Sequence, residues 1–563
     1  MKPIRTEAAV EIDFARPGGV PLSKERIAIY NSGLVPIERY RRDADLLRRS
    51  RAESLRLDLG WGAEWMPWRD QPVTRELDGT IRYHFDETDE LARLLADCGL
   101  RPYWSYCYVP IAARPEGGDW RGMAEDDSVW VDLVREYAGG AAGRGVEIGY
   151  HEVYNEPDLR DERTGQPHFY LGDLDDYLDL YRATATAIRD VDPHARIGGP
   201  ALAVTSINRH WLKAFLTMVV EERLPLDFLS FHHYGAFSLE NTLDIVDDVL
   251  AGFDGFRHLE LHLNEYNSFQ IDYPRGGLQD GHLLASSFAA ELPPLLERRS
   301  LTRTSWAQFL DSGQGNFSGM IDIDGVAKPI FRVYEFFQAM PTDRAAVAID
   351  APVGVGALAS SEPGRASVLL WNRHFLDVSV ELDLAAAPAT GTVTVLGPKG
   401  EAVEQVEGAR LSIAIPTGGV ALLELGGAAA APGARRVSRS YLPRELARET
   451  GWCDIDEATV TFRLATEDGA SVSCSADLLA SDAPSQWTAD FRGPDGGEVI
   501  AGAVIRVETS TAVSSIELGS GGTREPRWSL PDLPLRQGDA RISVALVDAP
   551  AGTVATIRPG GAE

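Results

Sequence analysis

The sequence predicts a (β/α)8 barrel followed by an all-β region, and three observations carry that prediction. Between residues 26 and 340, short extended segments alternate with amphipathic helical ones, the pattern of repeated βα units. One extended segment, Gly149-Tyr-His-Glu-Val-Tyr154, runs directly into Asn155, Glu156 and Pro157, and polar residues at the carboxyl end of a strand mark the active face of a barrel. Beyond Met340 the helical periodicity stops, and strand-like runs divided by Gly, Pro and Asn replace it.

Eight barrel strands are expected, at 26–34, 54–59, 101–110, 149–155, 196–202, 227–234, 259–264 and 304–310. The helix between the fourth and fifth shows the pattern most clearly. Leu174, Tyr177, Leu178, Tyr181, Ala185 and Ile188 make one apolar face, with Asp173 as N-cap and Asp176 three residues on. Strands joined through such helices must be parallel, and eight of them close on themselves. Residues 1–25 hold an alternating run at 7–14 that is expected to join a later sheet, and the barrel is assigned to 26–342. Runs at 365–372, 376–384, 391–396, 409–416 and 420–425 predict an antiparallel sandwich over 343–427. Residues 428–440, rich in Ala and Gly, read as a linker, and 441–563 as a further β-rich region with no motif that carries chemistry.

At 563 residues the chain exceeds a single core. Its formal net charge of −30 disfavours nucleic acid or an anionic membrane surface as a partner, because both need a basic footprint. The first 14 residues lack an apolar signal segment, and no run of about 18 apolar residues occurs, so the expectation is a cytoplasmic protein. The four cysteines, at 98, 107, 453 and 474, show no metal or redox spacing, and buried thiols are the default. Pairing of Cys453 with Cys474 stays open at this stage. No metal and no cofactor are expected. Exposed β edges in the C-terminal region leave a homo-oligomer open.

A second strand, 259–264, ends near Glu265 just as the fourth ends near Glu156. Two carboxyl groups about 5 Å apart across a barrel mouth suit retaining glycoside hydrolysis, where one donates a proton and the other attacks the anomeric carbon. Glu156 is assigned as acid/base and Glu265 as nucleophile. Arg56, near the end of strand two, is expected to hold Glu265 ionised. Asn155 is expected on a sugar hydroxyl, Tyr234 on Glu265 or the sugar, and His233 along the cleft. His232 and His233 cannot both point inward, since neighbouring side chains alternate. Trp306 is read as a platform for a sugar ring, with a core position the even alternative. Trp61, Trp65 and Trp68 follow strand two and either build the rim or pack their loop. Trp104, Tyr106 and Tyr108, spaced by two, are read as packing.

These residues resemble glycoside hydrolase family 39, of the clan of (β/α)8 retaining glycosidases. The resemblance covers roughly residues 25–375 and rests on Tyr154-Asn-Glu-Pro157, on 191–200 (Val-Asp-Pro-His-Ala-Arg-Ile-Gly-Gly-Pro), on 225–234, on His262-Leu-Asn-Glu-Tyr-Asn267 and on Lys328-Pro-Ile-Phe331. It implies exo-acting cleavage of a β-D-xyloside or related sugar, with Glu156 and Glu265 in the catalytic roles. Two departures bear on the sugar. Where xylosidases of the family have Arg-Gly-His on strand two, this chain reads Arg56-Leu-Asp58, which puts Asp58 in the place of a substrate-facing His. After Trp306 the family's Phe-Ser-Asp-x-Phe-Glu-Glu pattern is absent, and with it two glutamates that hold sugar hydroxyls. The expectation is therefore a retained mechanism with altered specificity: a β-xylosidase-like enzyme first, an α-L-arabinofuranosidase or arabinosidase second, and a non-catalytic carbohydrate-binding protein as the alternative of another class.

Overall fold

The structure of the chain, a computed structural model, describes residues 6–426 apart from 64–70, 116–117, 123–126, 162, 236–238, 257–258, 269–280, 299, 313–316 and 389. Beyond 426 it describes residue 553 and the backbone of ten strands between 438 and 559. Eight parallel strands close into a barrel in chain order, the eighth pairing with the first. Strands one to four are Ile27–Asn31, Ser54–Asp58, Arg101–Tyr106 and Tyr150–Val153. Strands five to eight are Ile197–Leu202, Phe228–Tyr234, Glu260–Asn267 and Leu301–Ala307.

Two strands differ from the expected bounds in ways that matter for the site. Strand seven runs on to Asn267, so Glu265 is inside it rather than beyond its end. Strand eight begins at Leu301 and stops at Ala307, which leaves residues 308–310 outside the barrel wall. Strand four is only four residues long.

The helix Leu174–Val191 forms where its period predicts, and its start is a capping box: the Asp173 side chain accepts from the Asp176 N–H, and Asp176 accepts in return from the Asp173 N–H. Two backbone donors that a helix start leaves unpaired are thereby satisfied. Among the described residues no helix is long and apolar enough to cross a membrane.

The second part is a nine-stranded, mostly antiparallel sheet. The opening strand Glu7–Pro17 lies within it, antiparallel to Asp343–Asp350 and parallel to Val378–Ala385. Val10 and Ile12 from that strand share one core with Leu370, Val380, Ile413 and Leu423, which come from both ends of the sheet, so the sheet folds over as a sandwich. Three of its strands, Asp343–Asp350, Val355–Glu362 and Gly400–Glu407, are absent from the expected runs. Small or charged residues dominate them, and pairing with neighbours overrides their weak strand preference. The ten strands beyond 426 form two five-stranded sheets. Most of the expected linker and the side chains of Cys453 and Cys474 lie outside the described residues.

Asp173→Ala removes one half of the capping box and should lower stability by about 1 kcal/mol; a urea titration followed by far-UV circular dichroism checks this, and an unchanged midpoint would show the cap to be replaced by solvent.

Candidate active site

The floor of the barrel mouth is organised by Arg56, which is fully buried. Its register puts it level with Tyr30 on strand one and Tyr103 on strand three. A guanidinium carries its donors in a rigid planar fork. Here Nε donates to Glu152 Oε2 at 2.7 Å, Nη1 to Glu265 Oε2 at 3.0 Å, and Nη2 to Asn155 Oδ1 at 2.8 Å. Asp58 Oδ1 lies 3.2 Å from Nη1, and the Tyr30 ring packs under the guanidinium at 4.9 Å. Burial alone would disfavour the charge. The surrounding carboxylates, Glu152 foremost, restore it and hold the Arg56 pKa well above its ordinary value.

Glu156 stands three residues past strand four, on backbone that Pro157 keeps out of the ladder. Tyr154 and Glu156 both take left-handed backbone, with φ of 70° and 46°. Such conformations cost side-chain-bearing residues roughly 1–2 kcal/mol each. They are held by Tyr154 N–H to Tyr106 O at 3.2 Å and by Glu156 N–H to Ala201 O at 3.1 Å. The kinked segment turns the Glu156 carboxyl to His232, whose Nδ1 is 2.8 Å from Glu156 Oε1 and 3.5 Å from Glu265 Oε2. Asp158, just beyond, accepts from the Ala203 and Val204 N–H groups and from Asn208, which pins the loop after strand five to the loop after strand four.

The two glutamates share a site but not an environment. Burial, with Asp158 and Asp58 adding negative charge nearby, pushes Glu156 up to about 8, so it carries its proton at neutral pH. Burial also raises Glu265, to about 7, with the nearby Glu156 and Asp58 adding to the rise and Arg56 opposing it. Glu265 also accepts from Tyr234 OH. A carboxylate with an arginine and a phenol as donors ionises before one without them. His232 is lowered by burial to about 4 and is a neutral imidazole.

Of the residues singled out from sequence, Arg56, Asp58, Asn155, Glu156, Tyr234 and Glu265 come together at this mouth. Asp58 accepts from Tyr30 OH at 2.7 Å. Two candidates are elsewhere. His233 faces away from the mouth: its Nδ1 meets Thr242 Oγ1 at 3.0 Å on the following helix, Leu239–Leu250. Neighbouring side chains on a strand alternate, and it is His232 that shares the inward face with Tyr234. Trp306 is fully buried and packs edge-on against Tyr266 at 5.2 Å and Phe288 at 5.3 Å, so it belongs to the core. Its inward neighbours on strand eight follow Arg303, which reaches Ser54 and Tyr150 across the barrel. Trp61 packs on Tyr106 and Tyr137, while Trp65 and Trp68 lie outside the described residues. Trp104 and Tyr106 pack outward as expected, with Trp104 Nε1 donating to Tyr137 OH at 3.0 Å and Tyr106 OH 2.8 Å from His151 Nδ1. Tyr108, past the strand's end, also packs, against Trp120, Tyr154 and Phe169.

Sequence reasoning assigned no site role to His232, Glu152 or Asn264. The signal for the first was available, since placing Tyr234 in the mouth implies His232 there by the period of two. One atom from each of Glu156, His232 and Glu265 lies within 4.8 Å of the others, a spacing that a cation could share. The His232 imidazole and the Glu156 carboxyl are, however, engaged with each other at 2.8 Å.

Residues 48–272 match the sequence model of Glycosyl hydrolases family 39, so the family resemblance read from the barrel motifs holds over that span. A β-xylosidase of Geobacillus stearothermophilus is 28% identical over 306 residues, which are 47% of this chain and 58% of that protein; the chain thus spans little more than half of its curated relative. Two solved structures share the fold. The GH39 enzyme of Xanthomonas axonopodis pv. citri has a TM-score of 0.60 at 20% identity, covering 76% of this chain and 98% of its own. A monomeric β-xylosidase of Caulobacter crescentus has a TM-score of 0.59 at 20% identity, covering 75% and 99%.

The pKa of Glu156 has a consequence for stability. A carboxyl whose folded value of about 8 lies above its ordinary 4.5 binds its proton more tightly in the native state, so its contribution is fully present at low pH and is lost as pH rises through 8. The urea midpoint of the wild type should therefore fall between pH 5 and pH 8, and Glu156→Gln should flatten that fall; equal slopes for the two proteins would contradict the raised value.

Proposed function

We propose, on the premise that residues 48–272 form the barrel segment of a family 39 glycosyl hydrolase, that this chain is a retaining exo-glycosidase acting on short oligosaccharides or glycosides. The observation that carries the reading is the pair Glu156 and Glu265, whose nearest carboxyl oxygens lie within 4.8 Å, with Arg56 and Tyr234 donating to Glu265 alone. Retaining hydrolysis needs carboxyl groups about 5 Å apart, whereas inversion needs roughly 6.5–9.5 Å to seat a water between them.

In the first step Glu156 donates its proton to the departing oxygen as the Glu265 carboxylate attacks the anomeric carbon; the glycosidic bond breaks and a glycosyl-Glu265 ester forms. Glu156, now ionised, then takes a proton from water, whose oxygen attacks the same carbon and releases Glu265. The support for these roles is local. Burial keeps the proton on Glu156, and Arg56 with Tyr234 favours charge on Glu265. Asn155, held by Arg56, is placed to meet a hydroxyl beside the reacting carbon.

A β-D-xyloside is the first substrate to try, because the curated relative is named a β-xylosidase. An α-L-arabinofuranoside is second, favoured by the stretch that leaves strand eight, Ala307-Gln-Phe-Leu310, which lacks the glutamates of the xylosidase pattern. A protein that binds sugar without turnover is the reading of another class.

Initial rates on 4-nitrophenyl β-D-xylo-, α-L-arabinofurano-, α-L-arabinopyrano-, β-D-gluco- and β-D-galactosides decide among these, with binding calorimetry for any sugar not turned over. Glu156→Ala should lower kcat/KM for poor leaving groups by about 10²–10⁴-fold. Added azide should then give a glycosyl azide of retained configuration, whereas in Glu265→Gly it should restore turnover with inversion. The opposite pair of products would exchange the two roles, and calorimetric binding with no turnover anywhere would favour the non-catalytic reading.

A further inference from the structure

We infer that Glu152 is a positioning residue for this reaction, acting through Arg56 to hold Glu265 and Asn155 where they work; the inference rests on the roles proposed above. Glu152 lies on strand four, four residues before Glu156, and is fully buried. One of its oxygens, Oε2, accepts from Arg56 Nε on strand two at 2.7 Å. The other accepts from Asn264 Nδ2 on strand seven, the residue next to Glu265, and lies 3.5 Å from Tyr103 OH on strand three. Asn264 also donates to Tyr103 OH, at 3.0 Å. One carboxylate therefore ties together the strands that carry Arg56, Glu156 and Glu265.

The geometry distinguishes this arrangement from simple neutralisation. A counter-ion could balance a guanidinium from any side. Glu152 takes the Nε end, which leaves Nη1 for Glu265 and Nη2 for Asn155. Because the fork is planar and rigid, fixing Nε fixes the directions of both Nη groups. The other described acceptors within reach of Arg56, namely Asp58, Glu265 and Asn155, come from the carboxyl ends of their strands, so without Glu152 nothing described opposes their pull on the fork. The Glu152 contact also extends downward through Tyr103 OH, 3.2 Å from His262 Nδ1, and His262 Nε2, 3.1 Å from Glu260 Oε2, so the anchor is itself anchored.

The test uses the full chain and the aryl glycoside that the wild type turns over best, with Glu152→Ala, Glu152→Asp, Arg56→Ala and the double variant Glu152→Ala/Arg56→Ala. Glu152→Ala should lower kcat about 100-fold with KM little moved, as expected for reacting groups displaced by about an ångström. Glu152→Asp, which keeps the charge but retracts it by one methylene, should be intermediate. The acid limb of the kcat/KM profile should move to higher pH in both, because Glu265 loses the cation that favours its charge; removal of a negative charge without movement of Arg56 would shift it to lower pH. In the Arg56→Ala background Glu152→Ala should cost little further activity. Additive losses, or an acid limb that stays put or moves down, would overturn the inference. Crystal structures of Glu152→Ala and Glu152→Asp give a readout that needs no turnover: Arg56 displaced from Glu265 is expected, and Arg56 still within hydrogen-bond distance of Glu265 Oε2 overturns the inference even if the wild type proves inert on every glycoside, which would count against the proposed function alone. Should Glu152→Ala fail to fold, Glu152→Asp carries the same readings.

Discussion

A guanidinium buried inside a barrel is the constraint on which the rest of this site depends. Arg56 cannot shed its proton, and it cannot be hydrated where it stands, so acceptors must surround it. The barrel supplies them from strand two itself, from strand four and from strand seven. Breaking such a pair by removing one member is far more costly than never having formed it, since an uncompensated charge remains. The same atoms that satisfy Arg56 are, or adjoin, the atoms that would do chemistry. Stability and reactivity are thus served by one set of contacts, and the planar fork converts a requirement for neutralisation into a requirement for geometry.

Burial acts on both glutamates in the same sense, and what separates them is which partners reach each one. Glu265 meets Arg56 and Tyr234, whereas Glu156 meets a neutral imidazole and has Asp158 and Asp58 nearby. The left-handed backbone at Tyr154 and Glu156 is part of this division, because it takes Glu156 out of the strand. A second layer lies deeper in the barrel, where Arg303 joins Ser54, Glu53 and Tyr150. The site therefore stands on a polar, hydrogen-bonded floor rather than on an oily one. The nine-stranded sheet has a simpler task. By taking in Glu7–Pro17 beside Asp343–Asp350, it pairs the strand that leads into the barrel with the strand that leaves it.

Much of this architecture was legible along the chain. The run into Asn155-Glu156-Pro157, the second run near Glu265 and the face of the helix Leu174–Val191 are local patterns, and a period of 2 or 3.6 can be read without knowing the neighbours. The sandwich strands with Val, Leu and Ile in alternation were legible for the same reason. Val355–Glu362 and Gly400–Glu407 were not, because Gly, Ala, Ser and Glu have little intrinsic preference for a strand and become one only by pairing. Bounds were least legible where a strand continues past its apolar run, as Glu260–Asn267 does through Asn264 and Glu265.

By itself, then, the sequence determined the fold class, the two glutamates as candidates and the arginine between them, since each follows from periodicity and from residue type at a strand's end. Tertiary structure alone decided that Trp306 belongs to the core, and that Glu152 and Asn264 brace Arg56 from below. The physical reason is the closure of the barrel. Which side of a strand faces inward, and which atoms then lie within 3 Å, is settled by partners 96 and 209 residues away in the chain, as Glu152 and Glu265 are from Arg56.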